Sequence, residues 1–379
     1  MTREEPRSAP ISTEGRNTTL DAVRGVAVLG ILTMNAVSYG LDMPSYFNLD
    51  ASGSRTWLDW AIGGMGEVLC DQKFMGLFSL LFGAGIAMFA DRAAARQRRP
   101  VRFSLWRNAL LLGIGIAHTS LWEGDVLVLY AICSPLIIAA RRLRPSVLVT
   151  IGTALMLAVA VVAVAVQATI DDPASQLSGY WLEGEKSAEI ELWFVGDFGA
   201  RALGMMLIGV ALYRTGVVTG ERPQGFYVRT ARWGLGVGLP LSAAGLAIMA
   251  ASGFSPDWAL AGAAPNTLAT IPLSLAYLSL IALWDRRAES GLRVRVRAVG
   301  RMALTNYLAQ SVLGVIVLRE LLGDVDLSRS QIALFILGVW AIQLWWSQAW
   351  LSRFRFGPAE WLWRCATYRR WQPLRVSPN

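Results

Sequence analysis

The chain has 379 residues, of which 54% are hydrophobic and only 16% charged, with a mean hydropathy of +0.43. That is too apolar and too charge-poor for an ordinary soluble domain. The formal charge of +8 invites a nucleic-acid reading, which the placement of the basic residues removes.

Ten stretches approach the roughly 20 apolar residues that a membrane-spanning helix needs. They are residues 19–40, 74–90, 105–121, 126–140, 147–167, 192–213, 233–251, 267–284, 302–322 and 331–351. The expected fold class is all-α: a polytopic integral membrane bundle of about 10 transmembrane helices. Residues 1–18 form a tail, 19–352 the helical domain, and 353–379 an amphipathic C-terminal segment. No small-x-small cleavage pattern follows the first run, so it reads as an uncleaved first helix and not a signal peptide. The stretches at 105–121 and 126–140 are short and share a tight polar turn, which suits tilted or partly re-entrant helices. Residues 57–69 are too short to span and read as a helix lying on the membrane surface.

The charges orient the bundle. With the N-terminal tail inside and the segments alternating, most of the 35 basic residues fall on the inner side. They include Arg92, Arg96, Arg98 and Arg99 after the second segment, and Arg141, Arg142 and Arg144 after the fourth. Arg293, Arg295 and Arg297 follow the eighth. That asymmetry is the positive-inside signature of a multi-pass protein, here with both termini cytoplasmic. The arginines are orientation signals, and no nucleic-acid partner is expected. The outer loop near 170–191 is acidic and carries Tyr180 and Trp181. Two readings fit it: a solvated loop, or a cover folded over a site. No internal repeat is visible.

Several segments carry groups that lipid rejects. Asp21 and Arg24 sit three apart in the first helix, with Asn35 three turns on. A central arginine costs about 2.5–3.5 kcal/mol on insertion scales, so it marks either a local ion pair or a functional site. His118, the only histidine, ends the run GIGIAH and precedes Trp122, Glu123 and Asp125. Beside carboxylates it reads as a general base or as an interfacial histidine bonded to a turn. Asn306 and Gln310 lie i, i+4 with Tyr307 adjacent, and either tie helices together or line a cavity. Gly83, Gly85, Gly113 and Gly115 read as close helix packing. The three cysteines are scattered, and no metal site is expected.

Four motifs in order then carry a resemblance: LDAVRGVAVLGILTMN, KFMGLFSLLFGAG, AHTSLWEGDVLVLYA, and GRMALTNYLAQS with RFRFGPAEWLWR. Together they resemble the YeiB-like bacterial membrane proteins, a family named for a domain of unknown function. Its typical C-terminal region would be about 215–375 here. The opening motif is also similar to that of the wider transmembrane acyltransferase group. That group includes bacterial integral-membrane O-acyltransferases and heparan α-glucosaminide N-acetyltransferase. Asp21, Arg24 and Gly25 match its first-helix motif, and Asn35 matches an asparagine of the N-acetyltransferase-like branch. The chain departs from the group in having no histidine between residues 36 and 73.

The resemblance implies transfer of an acyl group from cytoplasmic acyl-CoA to a small-molecule, glycan or lipid acceptor at the outer face. Acyl-CoA would be a donor substrate, with no permanently bound cofactor. Arg24 and Asp21 would meet the donor. His118 would act as base, with Glu123 or Asp125 orienting it, and Asn35 would steady the oxyanion. Trp122, Asn306, Tyr307 and Gln310 would line the cavity. The alternative is a transporter or exporter of a small or lipid-linked molecule, and a non-catalytic membrane scaffold also fits the pattern.

Overall fold

The computed structural model describes residues 17–96 and 99–376. Most of the tail expected at 1–18, the last three residues, and Arg98 of the first arginine-rich loop lie outside the described residues. Helices follow one another as α1 (Thr18–Gly40), α2 (Trp57–Leu69), α3 (Lys73–Ala95), α4 (Pro100–Thr119), α5 (Leu127–Ala140) and α6 (Pro145–Gln167). A single turn, α7 (Pro173–Gln176), precedes α8 (Ala188–Arg214), α9 (Gln224–Ala251) and α10 (Ala259–Asp285). The chain closes with α11 (Gly291–Arg301), α12 (Ala303–Gly314), α13 (Arg329–Leu351) and α14 (Pro358–Tyr368). Among the described residues there is no β-structure beyond two isolated bridges.

The protein is an all-α membrane bundle. All ten apolar stretches are helical, the ninth running from α12 into a π-helical turn at Val315–Leu321. By length and composition, seven described helices can cross a membrane, or eight if α11 and α12 count as one. The difference from ten lies mainly in the α4–α5 hairpin. With 14 residues, α5 is about 21 Å long, short of a hydrocarbon core of roughly 30 Å.

Two local expectations change. Residues 57–69 are helical, but α2 continues into α3 as one 39-residue element and does not lie flat on the surface. The left-handed backbone of Gln72 (φ 62°) makes the joint. The arginine-rich stretch after α10, read as a loop, forms α11, which meets α12 at 86°. Its buried face carries Val296, Ala298, Val299 and Gly300, with Arg293 buried beside them, while Arg295 is exposed.

At the centre, α1 packs against α3, α10, α11, α12 and α13. In its apolar stretch 78% of residues are buried, against 28% for α9 and α13, which places those two at the lipid-facing rim. The α1–α11 crossing is very close. A Cβ on Gly300 would sit 1.9 Å from the Asp21 carbonyl oxygen, and one on Gly25 would sit 2.1 Å from that of Val296. Gly83 and Gly115 also pack closely, whereas Gly113 faces open space and Gly85 looks toward Arg24.

Connections gather at two ends. At the arginine end, Asn17 donates to the Thr219 carbonyl, and the Thr18 and Thr19 hydroxyls donate to Asp285. Arg286 reaches the carbonyls of Gly220 and Arg222, while Arg214 reaches back to Arg141. The opposite end is covered by the 41–56 segment and the acidic loop. That loop is folded down: Trp181 is buried and donates to the Phe254 carbonyl, and Asn48 donates to the Trp181 carbonyl.

Helix α14 is the expected short aromatic and basic helix, starting at Pro358. It packs on α4 and α12. Glu360 accepts from the Leu304 amide (2.6 Å), the Thr305 amide (3.1 Å) and the Thr305 hydroxyl (2.5 Å). It therefore caps the start of α12, whose first amides have no intrahelical partner. Burial pushes its carboxyl above the usual carboxylate range, with the hydrogen bonds from Thr305 and Leu304 pulling the other way. Glu360→Ala should cost about 1–2 kcal/mol, the worth of a helix cap. Thermal unfolding in detergent, together with faster proteolysis of the C-terminal helix, would read that loss.

Candidate functional site

A cavity of about 550 Å³ opens at the arginine end and runs into the bundle between α1, α3, α4, α5, α11, α12 and α14. Six arginines line it: Arg24, Arg92, Arg96, Arg107, Arg301 and Arg364. Asp21 and Glu360 are the acids among its lining residues. Arg24 forms a loose i, i+3 ion pair with Asp21 at 3.9 Å. Arg107 is held between two rings, 4.5 Å from Phe89 and 4.0 Å from Trp363. Stacking leaves a guanidinium its in-plane N–H groups, and Trp363 is itself anchored through its donation to the Arg107 carbonyl. The excess positive charge suits a polyanion, because arginine forks match phosphate oxygens.

Deeper in, the walls turn apolar, with Phe78, Leu111, Leu127 and Tyr307. Tyr307 is fully buried and lies between the cavity and His118, the ring centroids being 5.3 Å apart. His118 Nδ1 is 2.7 Å from Asp125 Oδ1. The Tyr307 hydroxyl donates to the same oxygen at 3.4 Å, and the Val128 amide donates to Asp125 Oδ2 at 2.8 Å. An Nδ1–H donated to Asp125 leaves the lone pair on Nε2. His118 Nε2 is buried and has no hydrogen-bond partner among the described residues. The same holds for Asn35 Nδ2. The two are linked through aromatic rings. Asn35 lies beside the Tyr39 hydroxyl, Tyr39 packs edge-on to Trp122 at 4.9 Å, and Trp122 meets His118 at 6.2 Å. Tyr39 is further tied to Ser311 at 2.8 Å.

The expected residues therefore divide. Asp21 and Arg24 line the outer cavity, and Tyr307 its deep wall. Asn35, His118, Trp122 and Asp125 form one cluster behind Tyr307. Glu123 is exposed, and the carboxylate that orients the histidine is Asp125. Asn306 and Gln310 are corrected from cavity lining to helix ties. The Asn306 amide donates to the Val299 carbonyl and the Ser347 hydroxyl, and Trp346 donates to its oxygen. Gln310 donates to the Val28 carbonyl and to Gln343. They share a face with one another but not with Tyr307, because consecutive helical positions are 100° apart. Arg107, Arg301 and Arg364 were read as orientation charges or not singled out. Tyr39 gave no signal beyond being aromatic.

Similarity to known proteins fixes the family. Over 385 residues the chain is 32% identical to "Uncharacterized protein YeiB" of Escherichia coli (strain K12), covering 93% of this chain and 97% of the relative. The chain belongs to the YeiB-like family. Residues 212–370 match the family described as "Protein of unknown function (DUF418)". "Uncharacterized protein YxaH" of Bacillus subtilis (strain 168) is 26% identical, covering 96% of this chain and 97% of the relative. An "Uncharacterized 39.9 kDa protein in amylase 3'region" of Bacillus acidopullulyticus is also 26% identical, covering 97% and 98%. These similarities span nearly the whole chain.

Proposed function

We propose that this YeiB-like protein is a membrane-bound acyltransferase of the bacterial plasma membrane. It would take its acyl group from cytoplasmic acyl-CoA and deliver it to an acceptor reaching the site from the outer face. The observation that supports this most is the arginine-lined cavity, which ends one aromatic ring short of His118 and Asp125. The arginine-rich end faces the cytoplasm under the positive-inside rule, with both chain termini on that side. The CoA phosphates would meet the collar of Arg24, Arg107 and Arg364, and the pantetheine arm would lie along the apolar wall. Along α1, Arg24 to Asn35 spans about 16 Å, so an extended arm is needed to bring the thioester from mouth to histidine.

The chemistry is then a proton transfer coupled to acyl exchange. His118 Nε2 removes a proton from the acceptor amine or hydroxyl as it attacks the thioester carbonyl. Asp125 holds the resulting imidazolium, and Asn35 Nδ2 donates to the oxyanion of the tetrahedral intermediate. Collapse breaks the C–S bond, and the CoA thiolate takes the proton back from His118. Tyr307 must swing aside for the thioester to reach the histidine.

Incubating the purified protein in proteoliposomes with radiolabelled acetyl-CoA and candidate acceptors tests this reading. Labelled product is the expected result, and its absence across several acyl-CoAs and acceptors would overturn it. Arg24→Gln should raise the Kd for CoA about tenfold, the equivalent of ~1.4 kcal/mol, in isothermal titration. The difference should shrink at high salt, as expected for a solvent-facing charge. A second reading, movement of an organic anion across the membrane, is favoured by one observation: both chain halves line the cavity. Uptake of label without chemical change would identify it.

A further inference from the structure

Asn108 lies within α4 and lines the arginine cavity. It is 6% exposed. Carboxamides in apolar helices usually tie one helix to another, as Asn306 and Gln310 do here. Asn108 ties nothing to α4. Its side-chain nitrogen donates to the Ser104 carbonyl of its own helix at 2.8 Å. Its oxygen accepts no hydrogen bond among the described residues. We propose that this oxygen accepts an amide N–H of the pantetheine arm, so that Asn108 selects CoA over nucleotides that lack the arm. The proposal rests on the acyl-CoA reading of the cavity and sharpens it.

Chemistry fixes the direction of the amide. The Ser104 carbonyl can only accept, so the nitrogen must face it. The oxygen is left as a free acceptor on a side chain of the cavity wall. Other acceptors on that wall are already engaged. Glu360 is held by the start of α12, and Asp21 faces Arg24. Asn17 spends both ends of its amide, on the Thr219 carbonyl and the Leu20 amide. The Tyr307 hydroxyl donates to Asp125 and accepts from the Val126 amide. The arginines offer only donors, which serve phosphates and not an N–H.

Position suits the arm as well. Arg107, one residue earlier, is the ring-stacked guanidinium of the collar. Leu111, one turn later, belongs to the apolar wall. His118 follows on the same helix, about 15 Å farther along its axis. Asn108 therefore stands where a chain leaving the phosphates heads for the histidine. The pantetheine arm carries secondary amides, and each N–H needs a partner once water is stripped away. A nucleoside diphosphate would use the arginines equally well and leave the Asn108 oxygen unpaired. A plain alkyl chain against the same wall would bury that oxygen without a donor, which is costly.

Isothermal titration of the purified full chain with CoA and with ADP tests the proposal. ADP shares the nucleoside and the diphosphate but has no arm. Asn108→Ala should raise the Kd for CoA about tenfold, the order expected when a buried N–H loses its partner. The Kd for ADP should stay within a factor of about two, which also reports that the collar is intact. Asn108→Leu keeps the volume and should give the same split, should alanine leave the wall poorly packed. Arg24→Gln should weaken both ligands, because both carry phosphates. Unchanged CoA affinity in the two Asn108 variants would overturn the proposal. So would an equal loss for CoA and ADP, which would make Asn108 a residue that only shapes the wall. Either result leaves the acyl-CoA reading standing, because the wild-type protein still binds CoA. Wild-type protein that binds no CoA would remove that reading and this proposal together.

Discussion

His118→Gln should lower acyl transfer from labelled acetyl-CoA by about 10²–10⁴-fold, the range that a positioned general base supplies. Glutamine keeps much of the volume and can still hydrogen-bond Asp125, so packing against Tyr307 and Trp122 survives. What it lacks is a basic nitrogen where Nε2 now lies. Asp125→Asn probes the same step from behind. It retains the shape but no longer fixes the proton on Nδ1, so it should lose turnover by a comparable order. CoA affinity measured by titration should stay within a factor of two or so in both variants, because the arginine collar is untouched. Full turnover in His118→Gln would remove the histidine from the mechanism.

Gly300→Val should be the most damaging single change to the fold. Its Cβ would meet the Asp21 carbonyl oxygen at 1.9 Å and the Gly25 amide nitrogen at 2.7 Å. Both are main-chain atoms of the central helix, so no side-chain rotation relieves the clash. Separating α11 from α1 is the remaining route, and it pulls Asp21 and Arg24 away from the cavity. The expected loss is about 3 kcal/mol or more, at the upper end for overpacking. It should appear as a large drop in Tm in detergent and as poor membrane yield. Gly113→Ala is the matching control. Its Cβ would meet nothing within 4 Å, and alanine favours the helix by up to about 1 kcal/mol. Equal stability of the two variants would show that the α1–α11 approach is looser than described.

Much of the architecture is legible in composition and periodicity. Lipid demands that backbone polar groups be satisfied within each segment, so long apolar runs could hardly be anything but helices. Pro100, Pro145 and Pro358 each open a helix at its first turn, as expected of a residue lacking an amide hydrogen. The bend between α11 and α12 was hidden because its one local signal, Gly300, is also tolerated inside a helix. The 86° turn arises where Gly300 presses against α1.

The candidate site was half legible. An aspartate, an arginine, an asparagine and a histidine in apolar segments stood out, because each is expensive in lipid unless it is partnered or used. Which of them meet was a matter of tertiary packing alone. Asp125 and not Glu123 holds His118, because only Asp125 turns inward to α12 and the start of α5. Asn306 and Gln310 carry the same amide chemistry as Asn35, yet α13 supplies Ser347 and Gln343 to satisfy them. The arginine collar is the clearest case. In sequence its members other than Arg24 look like topology signals or go unremarked, and only the folding of α11 and α14 against α1, α3 and α4 gathers all six around one cavity. By itself the sequence determined that this is a helical membrane protein with costly polar groups in its first helix. The tertiary structure decided that Asp21 and Arg24 face an arginine-lined cavity while Asn35 joins the histidine cluster behind Tyr307, because long-range packing sets which faces of the helices meet.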